Sequence, residues 1–132
     1  MIFIDASAYI GVLNPFDSSH EKAIGLSGFL TQESHVITSY AVLGEVLTIG
    51  SMRYSRMASI DFVKNIFESK TEIVSENDEL TKKAFKIFQE IRDKDVGWVD
   101  CYSFAIIEQY KIEKVFSFDK DFRKYTKAEF LE

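Results

Sequence analysis

The chain has 132 residues, a formal net charge of -5, a hydrophobic fraction of 46% and a single Cys. That is the size of one ordinary domain, 1–132, able to bury its own core without disulfide or structural metal. The acidic excess excludes broad electrostatic adhesion to nucleic acid or anionic membrane. No window approaches the roughly 18 uninterrupted apolar residues of a membrane span, and one Cys excludes an internal disulfide or a site needing two thiolates.

The first segment, MIFIDASAYI, is apolar from Met1 to Ile4 and reads as a strand buried on both faces, as in a parallel sheet covered by helices. It stops at Asp5, and Ala6 to Ile10 is good helix material whose first turn would lie near that carboxylate; the ordinary role of such an acid is an N-cap. Asn14-Pro15 ends the run, and Ser18 with Glu21 has the spacing of a capping box for a helix reaching about residue 32. His35 to Ser39 is a second strand. Tyr40 to Ile49 follows as a helix, with Gly50 placed to end it. Arg53 and Arg56 flank Tyr54 in what reads as a loop, a helix covers about 57 to 68, and Thr71 to Val74 is the third strand.

Ser75 to Asp78 carries cap chemistry, and Leu80, Ala84, Ile87, Phe88 and Ile91 form the clearest amphipathic stripe, expected to reach Arg92. Asp95 to Trp98 reads as a loop, and Asp100 begins a largely apolar helix through Tyr110. Val115 to Phe118 is the fourth strand, ending at Asp119, and Ala128 to Leu131 a short last one. Strands alternating with helices predict a parallel α/β fold with about five strands. The apolar start is too short, and lacks the basic flank, for a secretory signal, so the expected location is the cytoplasm.

Chemistry in open parallel sheets collects beyond the carboxyl ends of the strands, where strand order reverses. Asp5 and Asp119 both leave strands at such ends. If the chain winds outward through its second and third strands and then returns, the first and fourth become neighbours and their carboxylates share a crevice. Glu45 sits inside the apolar stretch SYAVLGEVLTIG, and Asp100 heads the apolar helix of GWVDCYSFAII. Each acid has a structural explanation: a cap for Asp5 and Asp100, a turn for Asp119, a buried ion pair for Glu45. Together they would repel one another unless a cation joins them, and hard divalent ions prefer oxygen ligands. Mg²⁺ or Mn²⁺ is therefore expected. Such a site suits phosphoryl chemistry, with Ser7 and Ser117 orienting a metal-bound water.

FIDAS, the acid in SYAVLGEV, WVDCYSFA and FSFDKDF together resemble the PIN domain family, in particular the VapC-type toxins of prokaryotic toxin-antitoxin pairs. The resemblance spans essentially the whole chain. It implies a three-layer α/β/α fold with sheet order 3-2-1-4-5, an Mg²⁺ or Mn²⁺ dependent endoribonuclease, and Asp5, Glu45, Asp100 and Asp119 as its acidic quartet. It also implies a VapB-like antitoxin and a second copy of the chain as partners. Many members carry Ser or Thr where this chain has Val99. Asp121 is a second acid beside Asp119, either an accessory ligand or a surface charge.

Two other enzyme and regulatory readings fail on particular residues. A HAD-like phosphatase needs a second Asp two residues after the first, where Ser7 stands; a receiver-like domain needs an acceptor Asp after the third strand, where Ser75 stands. A degenerate PIN fold acting only as a protein-binding or regulatory module is the alternative function. RNA is expected to enter along Arg53, Tyr54 and Arg56 with Lys120, Arg123 and Lys124, and Phe62, Phe67, Phe85 and Phe88 exceed what one helix face each would bury, favouring a protein partner.

Overall fold

Short apolar runs make the strands and capped amphipathic runs make the helices between them. The computed structural model describes residues 1–28, 30 and 34–132. In chain order the elements are β1 (Ile2–Ile4), α1 (Ala6–Leu13), α2 (His20–Ser27), β2 (Val36–Ser39), α3 (Tyr40–Arg53), α4 (Arg56–Glu68), β3 (Glu72–Val74), α5 (Asp78–Glu90), α6 (Trp98–Gln109), β4 (Lys114–Phe116), α7 (Lys120–Lys124) and β5 (Glu129–Phe130).

All pairings are parallel, in the order β3-β2-β1-β4-β5. The chain runs outward from β1 to β3, then jumps back to pair β4 with β1, so that Ile4 lies opposite Phe116. Right-handed crossovers require α1 to α4 on one face of the sheet and α5 to α7 on the other. The packing agrees: Tyr9 of α1 meets Phe62 of α4 edge to face, while Phe104 of α6 packs near Phe122 of α7, which also faces Phe3. Phe3, Phe104, Phe116 and Phe122 are all fully buried, so a Phe-rich core exists. Phe67, Phe85 and Phe88 lie outside it, each about half exposed.

Several local expectations are corrected. Gly50 does not end α3, which continues to Arg53; a Cβ there would collide with Ser59 Oγ and come within 2.9 Å of Leu13 Cδ2, so this glycine lets α3 approach α4 and α1. The turn after Arg53 is only Tyr54 and Ser55, with Ser55 Oγ accepting from Ala58 N–H to start α4. No capping box forms between Ser18 and Glu21: Ser19 is the N-cap of α2, and Asp17 accepts the Ser19 N–H. That helix stops at Ser27, short of residue 32, and 29 and 31–33 lie outside the described residues. α5 ends at Glu90, where Ile91 turns extended. Trp98 belongs to α6, whose N-cap is Gly97.

Candidate active site

The β1–β4 pairing decides where the first carboxylate goes. Asp5 N–H donates to Phe116 O at 3.1 Å, continuing the ladder one step beyond the strands and setting Asp5 beside Ser117. Asp5 is the N-cap residue of α1, yet its side chain makes no cap hydrogen bond to the helix. Its Oδ2 instead accepts from Ser117 Oγ at 2.9 Å and Ser7 Oγ at 3.0 Å. Burial, at 3% exposure, raises its pKa above the usual carboxylate range; the two serines and the Ala6 N–H oppose that rise, and the charge of Asp119 adds to it.

Asp119 stands three residues past the end of β4, and its Oδ1 caps α7 by accepting from Asp121 N–H at 2.9 Å. The turn role of Asp119 therefore occupies one oxygen only. Asp100 lies in the first turn of α6, where Oδ2 accepts the Gly97 N–H at 3.2 Å. Its pKa is pushed up to about 6, first by burial and then by the charge of Asp5, with smaller contributions from Asp119 and Asp121 and an opposing one from the Gly97 hydrogen bond.

Glu45 stands a turn and a half into α3, half-buried, and among the described residues no cation lies within ion-pair distance of it. The ion pair that would explain it structurally is absent there. Burial, then Asp100, Asp5 and Asp119 in turn, push it up to about 7. Each of the four acids thus feels or exerts the field of the others across β1, α3, α6 and β4. Asp121 is held by Lys124 at 3.3 Å, and that lysine also reaches Asp93 at 4.0 Å.

The donor set is all carboxylate, with burial and like charge as its strain, and this fits a hard divalent cation. Among the described residues no three His, Cys, Asp or Glu side chains close on one point. Mg²⁺ keeps several waters and takes only one or two carboxylates directly, so a loosely spaced quartet fits it better than Zn²⁺, which would want a tight cage. Cys101 is buried, its thiol pushed up to about 11 by burial and by Asp100, which makes it a packing residue.

The expected basic rim is divided. Arg53, Tyr54 and Arg56 are exposed at the α3–α4 junction and Lys120 at the start of α7. Arg123 instead lies 4.4 Å over the Phe130 ring and pairs with Glu132 at 2.6 Å, and Lys124 is taken by Asp121. Sequence reasoning misses the backbone N–H groups of Phe118 and Asp119, which donate to Ser7 and Ser117; side-chain patterns carry no signal for such amides.

Residues 2–128 match the PIN domain family model. The 23S rRNA-specific endonuclease VapC20 of Mycobacterium tuberculosis is 26% identical over 122 residues, covering 92% of each chain. The crystal structure of that VapC20, described as a Sarcin-Ricin loop cleaving toxin, superposes with a TM-score of 0.86 at 24% identity over 94% of each chain. VapBC2 from Rickettsia felis, bound to a DNA fragment from its promoter, gives 0.65 at 14% identity, over 98% of this chain and 97% of that one.

Proposed function

The chain belongs to the PIN domain family, and from that premise we propose that it is an endoribonuclease toxin of a toxin-antitoxin pair, hydrolysing RNA phosphodiester bonds with Mg²⁺ or Mn²⁺. The observation that carries this reading is that Asp5, Glu45, Asp100 and Asp119 lie near enough for their charges to act on one another, with no basic side chain among the described residues within ion-pair distance of any of them. Similarity to VapC20 along 92% of both chains supports RNA as substrate.

The four acids are the metal-holding set in this proposal. A divalent ion bound there supplies a water activated for attack and charge stabilisation at the phosphate. The chain's own residues do the rest: Asp5 and Asp119 are set beyond the ends of β1 and β4, Glu45 and Asp100 come from α3 and α6, and burial excludes bulk water from Asp5. Asp121 serves as an accessory acid in an outer ring, since Lys124 already holds it.

Arg53, Tyr54, Arg56 and Lys120 form the rim for the RNA backbone, with Arg123 and Lys124 joining it only by leaving their present partners. Replacing Arg53 and Arg56 with Ala should flatten the salt dependence of RNA binding by about 0.7 for each phosphate no longer neutralised. The exposed Phe67, Phe85 and Phe88 provide apolar surface for a second copy and for a VapB-like antitoxin. Among the described residues no helix is long and apolar enough to cross a membrane. A cellular RNA substrate puts the site of action in the cytoplasm.

The test is cleavage of RNA by the purified chain with Mn²⁺, with Mg²⁺ and with chelator, beside Asp119→Asn. Divalent-dependent cleavage lost in the variant is expected. Cleavage that survives chelation, or none under any condition with RNA still bound, rejects the metal nuclease in favour of a binding module.

A further inference from the structure

We infer that Ser7 and Ser117 are paired positioning residues: they commit one oxygen of Asp5 to the protein, leave the other to the crevice, and hold Asp5 in register with Asp119. The inference rests on the metal-holding reading above and deepens it. Both hydroxyls converge on the same atom, Asp5 Oδ2, at 2.9 Å from Ser117 and 3.0 Å from Ser7. Among the described residues no side chain donates to Oδ1.

Each hydroxyl also accepts a backbone N–H from the β4–α7 junction, which is remote in sequence from Ser7 and local to Ser117. Phe118 N–H donates to Ser7 Oγ at 2.9 Å, and Asp119 N–H to Ser117 Oγ at 3.1 Å. Two parallel chains of hydrogen bonds therefore run from the β4–α7 junction to Asp5, one through each serine. The hydroxyls are 3.2 Å apart, the longest separation of the set, and a carboxylate is the stronger acceptor, so both protons go to Asp5. A hydroxyl has only one proton to give. With both spent on Asp5, either serine can meet a metal-bound water only through a lone pair, and its proton serves the carboxylate. Their place is behind the carboxylate, where partners that orient a metal-holding acid typically matter 10–100-fold in affinity.

The geometry assigns unequal shares. Ser117 is buried at 3% exposure, whereas Ser7 is half-buried on the first turn of α1. Both serve one oxygen, so the effects of removing them should not add.

The experiment is a Mn²⁺ titration of the RNA-free protein by calorimetry, together with amide hydrogen exchange of the metal-free protein, on wild type, Ser7→Ala, Ser7→Thr, Ser117→Ala and the double Ala variant. Ser117→Ala should weaken Mn²⁺ binding by about 10- to 100-fold and Ser7→Ala by less. The double variant should resemble Ser117→Ala, and Ser7→Thr, which keeps a hydroxyl, should bind as wild type does. Exchange at Phe118 and Asp119 should quicken in the Ala variants. Wild-type Mn²⁺ affinity in folded Ala variants overturns the inference. If Ser117→Ala does not fold, Ser7→Ala decides by the same criterion. If wild type itself takes up no Mn²⁺, the metal-holding reading fails separately, and unchanged exchange at the two amides then overturns the clamp as well.

Discussion

Asp5 and Asp119 stand at the ends of paired strands, whereas Glu45 and Asp100 stand on helices, and the two pairs are held by different means. Asp5 is fixed by the β1–β4 register and two serines, and Asp119 is fixed by capping α7. On the helix side Asp100 has one hydrogen bond to the Gly97 N–H, and no cation pairs with Glu45 among the described residues. Both helix acids are driven toward protonation, to about 6 and about 7. Strand ends supply position; the helices supply charge that is costly until a cation arrives.

The largest effect should be on cleavage, and there the two sides should not differ. Asp5→Asn and Asp100→Asn each remove a carboxylate from the proposed metal-holding set, and each should lower the cleavage rate by orders of magnitude. Full activity in either variant would remove that acid from the site and leave the strand-end and helix acids with unrelated roles.

The next effect is on metal-linked stability. An ion that binds only the folded chain, present at about 100 times its dissociation constant, stabilises it by roughly 2.7 kcal/mol. Thermal melts with and without Mn²⁺ should show that gain in wild type and most of it missing in Asp5→Asn and Asp100→Asn. Equal Mn²⁺ stabilisation in all three proteins would mean that neither acid holds the metal.

Without metal the two variants should part company. Asp100→Asn relieves repulsion at a group with a single weak hydrogen bond, so it should melt at the wild-type temperature or higher. Asp5→Asn relieves repulsion too, but it disturbs a buried oxygen that accepts two hydroxyl protons, and should gain less. The reverse order would refute the contrast between a clamped acid and a loose one.

That contrast also marks how far the sequence can be read. The alternation of strands and helices follows from patterns it displays openly, whereas the strand order is what the family resemblance implies; the four acids stand out as apolar runs ending in Asp and as acids inside apolar helices. Gly50 misleads because a glycine at a helix end and one at a helix crossing look alike until Ser59 and Leu13 are known to lie across from it. The serines stand out beside Asp5 and Asp119, yet their task is not legible, since the contacts of Ser7 with Phe118 N–H and of Ser117 with Asp5 form only once β1 and β4 have paired. Arg123 looks like a free cation because Phe130 and Glu132 face it only once β5 has paired.

The smallest effect expected is the pH dependence of the metal-free protein, and it tests the helix side alone. Glu45 and Asp100 have folded-state pKa values raised to about 7 and about 6, chiefly by burial and then by neighbouring acids, above the range near 4 that they would have in the unfolded chain. Between those limits the folded state binds more protons than the unfolded state, so stability falls as pH rises. The favourable contribution is complete below about pH 4 and gone above about pH 7. Other carboxylates titrate in the same window, so the quantity to measure is the melting temperature of wild type minus that of Glu45→Gln, followed from pH 5 to pH 8 without metal. That difference should become more negative from pH 5 upward and level off above about pH 7, where Glu45 is ionised in the folded chain as well, and Asp100→Asn should show the same trend with its plateau nearer pH 6. Mn²⁺ should shrink both, because the ion favours the ionised carboxylates and binds more tightly as protons leave. A difference that stays flat across the range, or that grows more positive, would show that Glu45 is ionised at no cost in the folded protein, and the helix acids would then be no looser than the clamped pair.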